Sequence, residues 1–363
     1  SSESKDEGSE VPDVKTATSG AKELQDPYLA SKGIGCAMPN VVVGHSDSGN
    51  FDPLPTFRRT VETKAEAHST FLNKKKLKGF LHYYGAYPDE YRLLIWRFLL
   101  QLPENRDSYE ALLDQGTHPA FLDFRKKFPL RSERLAKSME RVLSALAYWS
   151  PVFEHLDYLP SLIFPFVKLA ENDMFSGFEI VMTVLINWCQ KWWDYFPNAP
   201  IEALDVLEDL LAYHDSELLN HFMQHKVTSQ IYGWLPMQTL LSELFSKPDW
   251  LRVWDHLVSN PPSFMYILLV AYIKSFRVAL LDVSKTDEFK RRTPISVAHL
   301  LEAAYKLGTV TPVTVSPATF FSPFAPVLKG QYPVFDRFPE FVVDYQRKMK
   351  ERMRRDEEDY VRK

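Results

Sequence analysis

The chain has 363 residues, of which 45% are hydrophobic and 25% charged, with a net charge of -4 and a pI near 6.2. That is enough apolar material for a sizeable core in one large domain or two smaller ones, and the near-neutral balance excludes the electrostatic footprint of a nucleic-acid binder. Cys36 and Cys189 stand far apart without metal-ligand spacing, which argues against a disulfide scaffold and for a reducing, cytoplasmic setting.

Residues 1–65 read as a disordered or linker segment. Ser, Glu, Lys, Asp and Gly dominate its first half, with too little apolar surface to offset the entropy of ordering. It holds no apolar core of a signal peptide, and the longest apolar run of the chain, Met265 to Ile273, is far short of a membrane span. Opening on Ser rather than Met, the sequence reads as a piece of a longer one.

Helical periodicity begins near Glu66 and runs almost unbroken to residue 309, so the fold class is all-α. Lys74, Lys75, Lys76 and Lys78 give the first helix a solvated basic face. Tyr87-Pro88-Asp89-Glu90 starts the next, because Pro suits the first helical position and acidic residues complement the N-terminal dipole. That helix carries Arg92 and Trp96 on one face, and both are assigned to the core.

A loop holding Asp123, Arg125 and Lys126 ends at Phe128-Pro129. The helix after it aligns Leu135, Met139, Val142, Leu143 and Leu146 on one face. A turn at Ser150-Pro151 leads into a second apolar helix, which Pro165 should kink or break. Trp188, Trp192, Trp193, Tyr195 and Phe196 read as an aromatic core or domain seam. Asn198-Ala199-Pro200 and Asp215-Ser216 open two further helices. His221 and His225 share a helix face, but no H-E-x-x-H pattern and no third ligand accompany them, so no metal site is expected. Trp254 is assigned to the core, and Asp255 to a bond with a nearby backbone group or Arg.

Residues 283–309 add further helical structure, capped by Thr293-Pro294 and stopped by Gly308. Residues 310–340 are rich in Pro and read as a strap that either lies along the domain, anchored by Phe320, Phe321, Phe324, Tyr332, Phe335 and Phe338, or waits for a partner. Residues 341–363 start a charged helix or coiled coil that leaves the domain and carries a capacity for self-association, with Tyr345, Met349 and Met353 spaced by four.

In order and spacing, these segments resemble the TBC domain, the helical module of Rab GTPase-activating proteins. Arg92-x-x-x-Trp96 resembles its opening motif. Asp123-x-x-Lys126-x-Phe128-Pro129 stands where the family writes I-x-x-D-x-x-R-x-F-P, and Trp254-Asp255 falls in the late V-x-R-x-W-D-x-x-L segment. The resemblance covers about residues 66–282. It implies a two-lobed bundle, protein partners, among them a Rab-family small GTPase, and no cofactor.

It also implies two catalytic fingers, an Arg and a Gln. Aligned on Phe128-Pro129 and Ser150-Pro151, the Arg position holds Lys126 and the Gln position holds Asp157. Lys126 keeps the charge but loses the planar fork. Asp157 has no N–H donor and would face an anionic γ-phosphate. Catalytic residues are therefore expected to be absent, with Arg125 as the alternative finger. No phosphate loop, dinucleotide fingerprint or nucleophile elbow is present, so the chain is not expected to hydrolyse a nucleotide by itself. Within the family, the nearest pattern is the WD-repeat-containing type, which implies a propeller ahead of Ser1 and an address at centrosomes or centriolar satellites. The expectation is a non-catalytic TBC scaffold or adaptor. The alternative is an active GTPase activator that uses Arg125 or Lys126.

Overall fold

The computed structural model describes residues 72–282 and 295–362. The expected helix start at Glu66 and the expected cap at Thr293-Pro294 lie outside those residues. No strand occurs among the described residues.

Two groups of helices pack around one continuous core. α1 (Lys74–Tyr84) and α2 (Asp89–Leu99) lead in, followed by α3 (Arg106–Leu113) and the single turn α4 (Phe124–Lys127). α5 (Glu133–Trp149), α6 (Leu159–Leu169) and α7 (Met174–Trp188) then pack on one another and, through α5, on α3. The second group holds α8 (Ile201–His214), α9 (Ser216–Gln224) and the short α10 (Leu235–Gln238). It continues with α11 (Lys247–Val258), α12 (Phe264–Ser275), α13 (Arg277–Leu281), α14 (Val297–Val310) and α15 (Pro317–Phe320). α16 (Glu340–Arg362) closes the chain.

Local sequence sets the helix ends. Asn73, Ser132, Asp173, Asp215 and Ser246 each accept a hydrogen bond from a backbone N–H of the first turn, satisfying donors the helix itself leaves open. α1 stops at Gly85, whose φ of 75° is left-handed and suits a residue without a Cβ. The periodic residues of α5 all face inward: Leu135, Met139, Val142, Leu143 and Leu146 are buried.

Three expectations change. Pro165 does not break α6, which runs from Leu159 to Leu169 with Pro165 inside it. Nearly every side chain of that helix is buried, and this burial offsets the roughly 3 kcal/mol an interior proline costs. α14 is capped by Ser296 and passes through Gly308 to Val310. Its Leu300, Leu301 and Ala304 are buried, and α14 packs on α12, which outweighs the roughly 1 kcal/mol of an interior glycine. Pro88 sits one residue ahead of the helix, as the cap of α2, and Asp89 takes the first helical position.

The strap does lie along the domain. Three side-chain amides grip its backbone as another strand would, each donating and accepting. Asn105 donates to Leu328 O at 2.9 Å and accepts from Gly330 N at 2.6 Å. Asn187 donates to Ala325 O at 3.0 Å and accepts from Ala325 N at 2.8 Å. Gln190 donates to Ser322 O at 3.0 Å and accepts from Ser322 N at 2.8 Å. Phe321, Val327 and Tyr332 are buried beneath it. Phe335 packs on Trp149, Phe153 and Trp193, with ring centroids 5.3, 5.3 and 5.6 Å away.

The core is fastened by the Asp255 carboxylate, which is fully buried. It accepts from Tyr87 N at 2.8 Å, Trp96 Nε1 at 2.8 Å and Arg92 Nε at 3.0 Å. Arg92 also donates to Tyr87 O at 2.6 Å and pairs with Asp89. The sequence placed Arg92, Trp96, Trp254 and Asp255 in the core separately; the structure makes Arg92, Trp96 and Asp255 one network. Burial pushes the Asp255 carboxyl up to about 6 against the pull of Arg92, so at pH 7 it is ionised and the ion pair is intact.

Removing Asp255 would strand a buried guanidinium. Asp255→Ala is expected to destabilise the fold by about 3–5 kcal/mol, while Asp255→Leu combined with Arg92→Met should cost less than the two single changes together. Denaturant unfolding of the four proteins measures the cycle, and additive losses would contradict it.

His256 gives a pH signature. Its ring is buried between Tyr305 OH at 2.8 Å and Gly85 O at 3.2 Å, and burial pushes its pKa down to about 4. A lowered histidine pKa means that the unfolded chain binds the proton more readily. The contribution of His256 is thus complete above about pH 6.5 and fades as pH falls to about 4. Between pH 7 and 5 the parent protein should lose about 2 kcal/mol more than His256→Gln. Asp255 titrates in both and cancels; equal losses would refute the assignment.

Candidate functional site

The two finger positions fall on two surface loops brought together by α5. The first loop is fixed by Phe124, which is buried and stacks on Phe128 with ring centroids 5.4 Å apart. The next residues of α4 point outward. Lys126 is largely exposed and donates to Asp123 Oδ1 at 2.8 Å, forming a surface ion pair. The hydrogen bond from Lys126 lowers the pKa of Asp123, and the same bond raises that of Lys126. Pro129 is exposed behind Phe128.

Arg125 takes another direction. Its Nε lies 2.8 Å from Glu140 Oε2, and its guanidinium also pairs with Glu133, so two carboxylates of α5 hold it. The expected alternative finger is therefore drawn back onto the helix that follows it.

The second loop starts where α5 ends at Ser150. Pro151–His155 makes a short 3₁₀ turn that buries Val152 and Phe153. Ser150 Oγ donates to Phe335 O of the strap at 2.8 Å. Asp157 follows and is exposed. Tyr158 OH accepts from Trp193 Nε1 at 2.8 Å, tying the far end of the loop to the aromatic core.

Glu154 is the electrostatic centre of this loop. Its carboxylate lies 2.9 Å from Arg347 Nε, 2.9 Å from His155 Nε2 and 3.4 Å from His118 Nε2. Burial favours the neutral acid, but His155 and Arg347 outweigh it and hold the Glu154 carboxyl down at about 2. Lys350 Nζ reaches His155 Nδ1 at 3.0 Å. An ammonium can only donate, so Nδ1 accepts in that contact.

Arg347 and Lys350 belong to α16. The first half of this helix lies across the second loop, with Val343 buried, and beyond Met353 every residue whose side chain is described is exposed. Its position follows from the strap, whose Phe335 is seated on Trp149, Phe153 and Trp193 just before the helix begins. Sequence reasoning missed Glu154, Arg347 and Lys350 as one cluster.

The two loops face each other across a groove of about 790 Å³. Asp123, Phe124 and Lys127 form one wall, Glu154 and Asp157 another, and Arg354 of α16 reaches its edge. Lys126 does not line it. A second groove of about 630 Å³ lies on the other side of α16, between Tyr345, Met349 and Met353 and the body residues Tyr158, Phe196 and Trp234. Trp254 and the Asp255 network lie in the core and take no part in either groove.

The histidine pair makes no site. His225 Nδ1 contacts His221 O at 2.8 Å, and among the described residues no group of three or more His, Cys, Asp or Glu could hold a metal ion. Cys189 is buried, and burial raises its thiol pKa, so it is no ready nucleophile. No helix among the described residues is long and apolar enough to cross a membrane.

The family model of the Rab-GTPase-TBC domain matches residues 89–281. The chain belongs to the TBC-domain family. It is 45% identical over 305 residues to TBC1 domain family member 31 of Homo sapiens, covering 83% of this chain and 29% of that protein. The corresponding protein of Oryzias latipes is 42% identical over 353 residues, covering 96% of this chain and 33% of that protein. The chain thus spans about a third of the length of these relatives. Among solved structures, the Ypt/Rab-GAP domain of Gyp1p superposes with a TM-score of 0.55 at 16% identity, covering 70% of this chain and 98% of that one. The Chlamydomonas flagellar RabGAP TBC domain superposes at 0.53, again with 16% identity, covering 74% of this chain and 90% of that one. These likenesses establish the all-α TBC fold. The loops of Lys126 and Asp157 stand on this TBC framework as described above.

Proposed function

We propose that this TBC domain is a non-catalytic protein-binding module, an adaptor that keeps a surface for a Rab-family GTPase and has lost the means to activate it. The observation that carries this reading is the state of the two finger positions. A useful finger places positive charge on the transferring phosphoryl group and orients water. An arginine finger alone is worth about 10³–10⁵ in rate, or about 4–7 kcal/mol. Here Lys126 is a point charge already paired with Asp123, and Asp157 offers an exposed carboxylate to a phosphate that repels it. Arg125, the substitute that could span two oxygens, is held by Glu133 and Glu140.

The reading extends to the whole protein only as a proposal. The resemblance to the WD-repeat-containing TBC type supports a role in centrosome- and cilium-related trafficking, with further partners for the strap and for the exposed half of α16, including a second copy of the protein. A fluorescent fusion that fails to reach the centrosome would remove that part.

The enzymatic part is tested by GTP hydrolysis across a panel of Rab proteins, with and without the protein. The expected rate change is less than about tenfold for every Rab. A larger acceleration would overturn the proposal, and loss of that acceleration in Arg125→Ala or Lys126→Ala would identify the non-standard finger.

A further inference from the structure

We propose that the first half of α16 is a built-in occupant of the finger surface, so that a GTPase and α16 compete for the same face. This rests on the reading above, that the face still meets a Rab-family GTPase.

Three observations carry it. First, α16 is attached at the second finger loop. Val343 is buried at its start, and Arg347 and Lys350 reach Glu154 and His155 one and two turns later. Lys350 Nζ also approaches Glu154 O at 3.4 Å. Beyond Met353 every residue whose side chain is described is exposed. Second, α16 forms an edge of both surface grooves, and Lys350 lines both, together with His155 and Asp157. A partner seated in the groove between Asp123 and Asp157 would meet Arg347, Lys350 and Arg354, which line the same groove.

Third, the charges match. The second loop carries Glu154 and Asp157, and α16 brings Arg347, Lys350 and Arg354 to that place. The acidic residues of the loop give α16 its counter-charge. Attachment by the buried Val343, the single Arg347–Glu154 ion pair and the contacts of Lys350 is also weak enough to be displaced. Such pairs gain modest Coulomb energy in high dielectric and are screened by salt.

The test uses the full chain with Arg347→Glu and Lys350→Glu together. Both positions are at the surface, so the fold should survive, which circular dichroism checks. Amide hydrogen exchange reports the attachment without any partner. Residues 340–350 and 151–158 are expected to exchange about tenfold or more faster in the double variant, and Glu154→Lys with Arg347→Glu should return them towards the parent. Unchanged exchange would overturn the attachment.

Binding to GTP-loaded Rab proteins reports the competition. A Rab that binds should do so about fivefold or more tightly to the double variant, with high salt narrowing the gap. Equal affinity for parent and variant would overturn competition while leaving the adaptor reading intact. No binding of any Rab to either folded protein would remove the adaptor reading and this proposal with it.

Discussion

One buried carboxylate holds the leading segment of this domain to a helix far along the chain. Asp255 on α11 gathers Tyr87 N, Arg92 and Trp96 from a segment up to 168 residues earlier. The aromatic pile beside it depends on that register. Trp96 meets Trp250 and Trp254 with ring centroids 6.2 and 6.3 Å away, and Phe166 of α6 closes on Trp254 at 4.7 Å. A charge inside such a pile is tolerable only because each oxygen has donors, and the guanidinium is satisfied in turn by Tyr87 O and Asp89. None of these groups lines the surface grooves. The framework can therefore persist whatever residues the surface loops carry.

What was legible in the sequence follows the range of the interaction. The inward face of α5 could be read from Leu135 to Leu146, because a 3.6-residue period is a local property. Arg92 and Trp96 could be put on one face for the same reason. Their joint partner was open: Asp255 called for a backbone donor or an Arg, and the fold supplied both. Pro165 and Gly308 misled, because propensity prices a residue in an isolated helix and both helices are held by packing. The strap's aromatics announced that it would lie down. The amides that hold its backbone, Asn105, Asn187 and Gln190, carry no pattern that distinguishes them from surface residues.

The finger region was legible as residue types and not as geometry. Lys126 and Asp157 could be named only as what the family resemblance implies, and the pairing of Lys126 with Asp123 and the withdrawal of Arg125 onto Glu133 and Glu140 depend on which way α4 turns. The charged C-terminal helix looked free because a helix rich in Lys, Arg and Glu has the same pattern in water as it has over an acidic loop. Glu154 decides between the two, and its meaning appears only when Arg347 and Lys350 are placed beside it.

On the proposed reading, two separate features keep this domain from activating a GTPase: the fingers lack the needed groups, and α16 lies across the loop that bears one of them. Only the first is the central claim, and the two can be parted. The direct measurement is single-turnover GTP hydrolysis by a Rab that binds Arg347→Glu/Lys350→Glu, with that variant at saturating concentration. The account predicts binding with less than about tenfold acceleration, because loosening α16 clears the groove beside the second loop without supplying a planar fork or an N–H donor. Acceleration beyond that in the variant would contradict it, and would mean that the chemistry had been retained and merely covered.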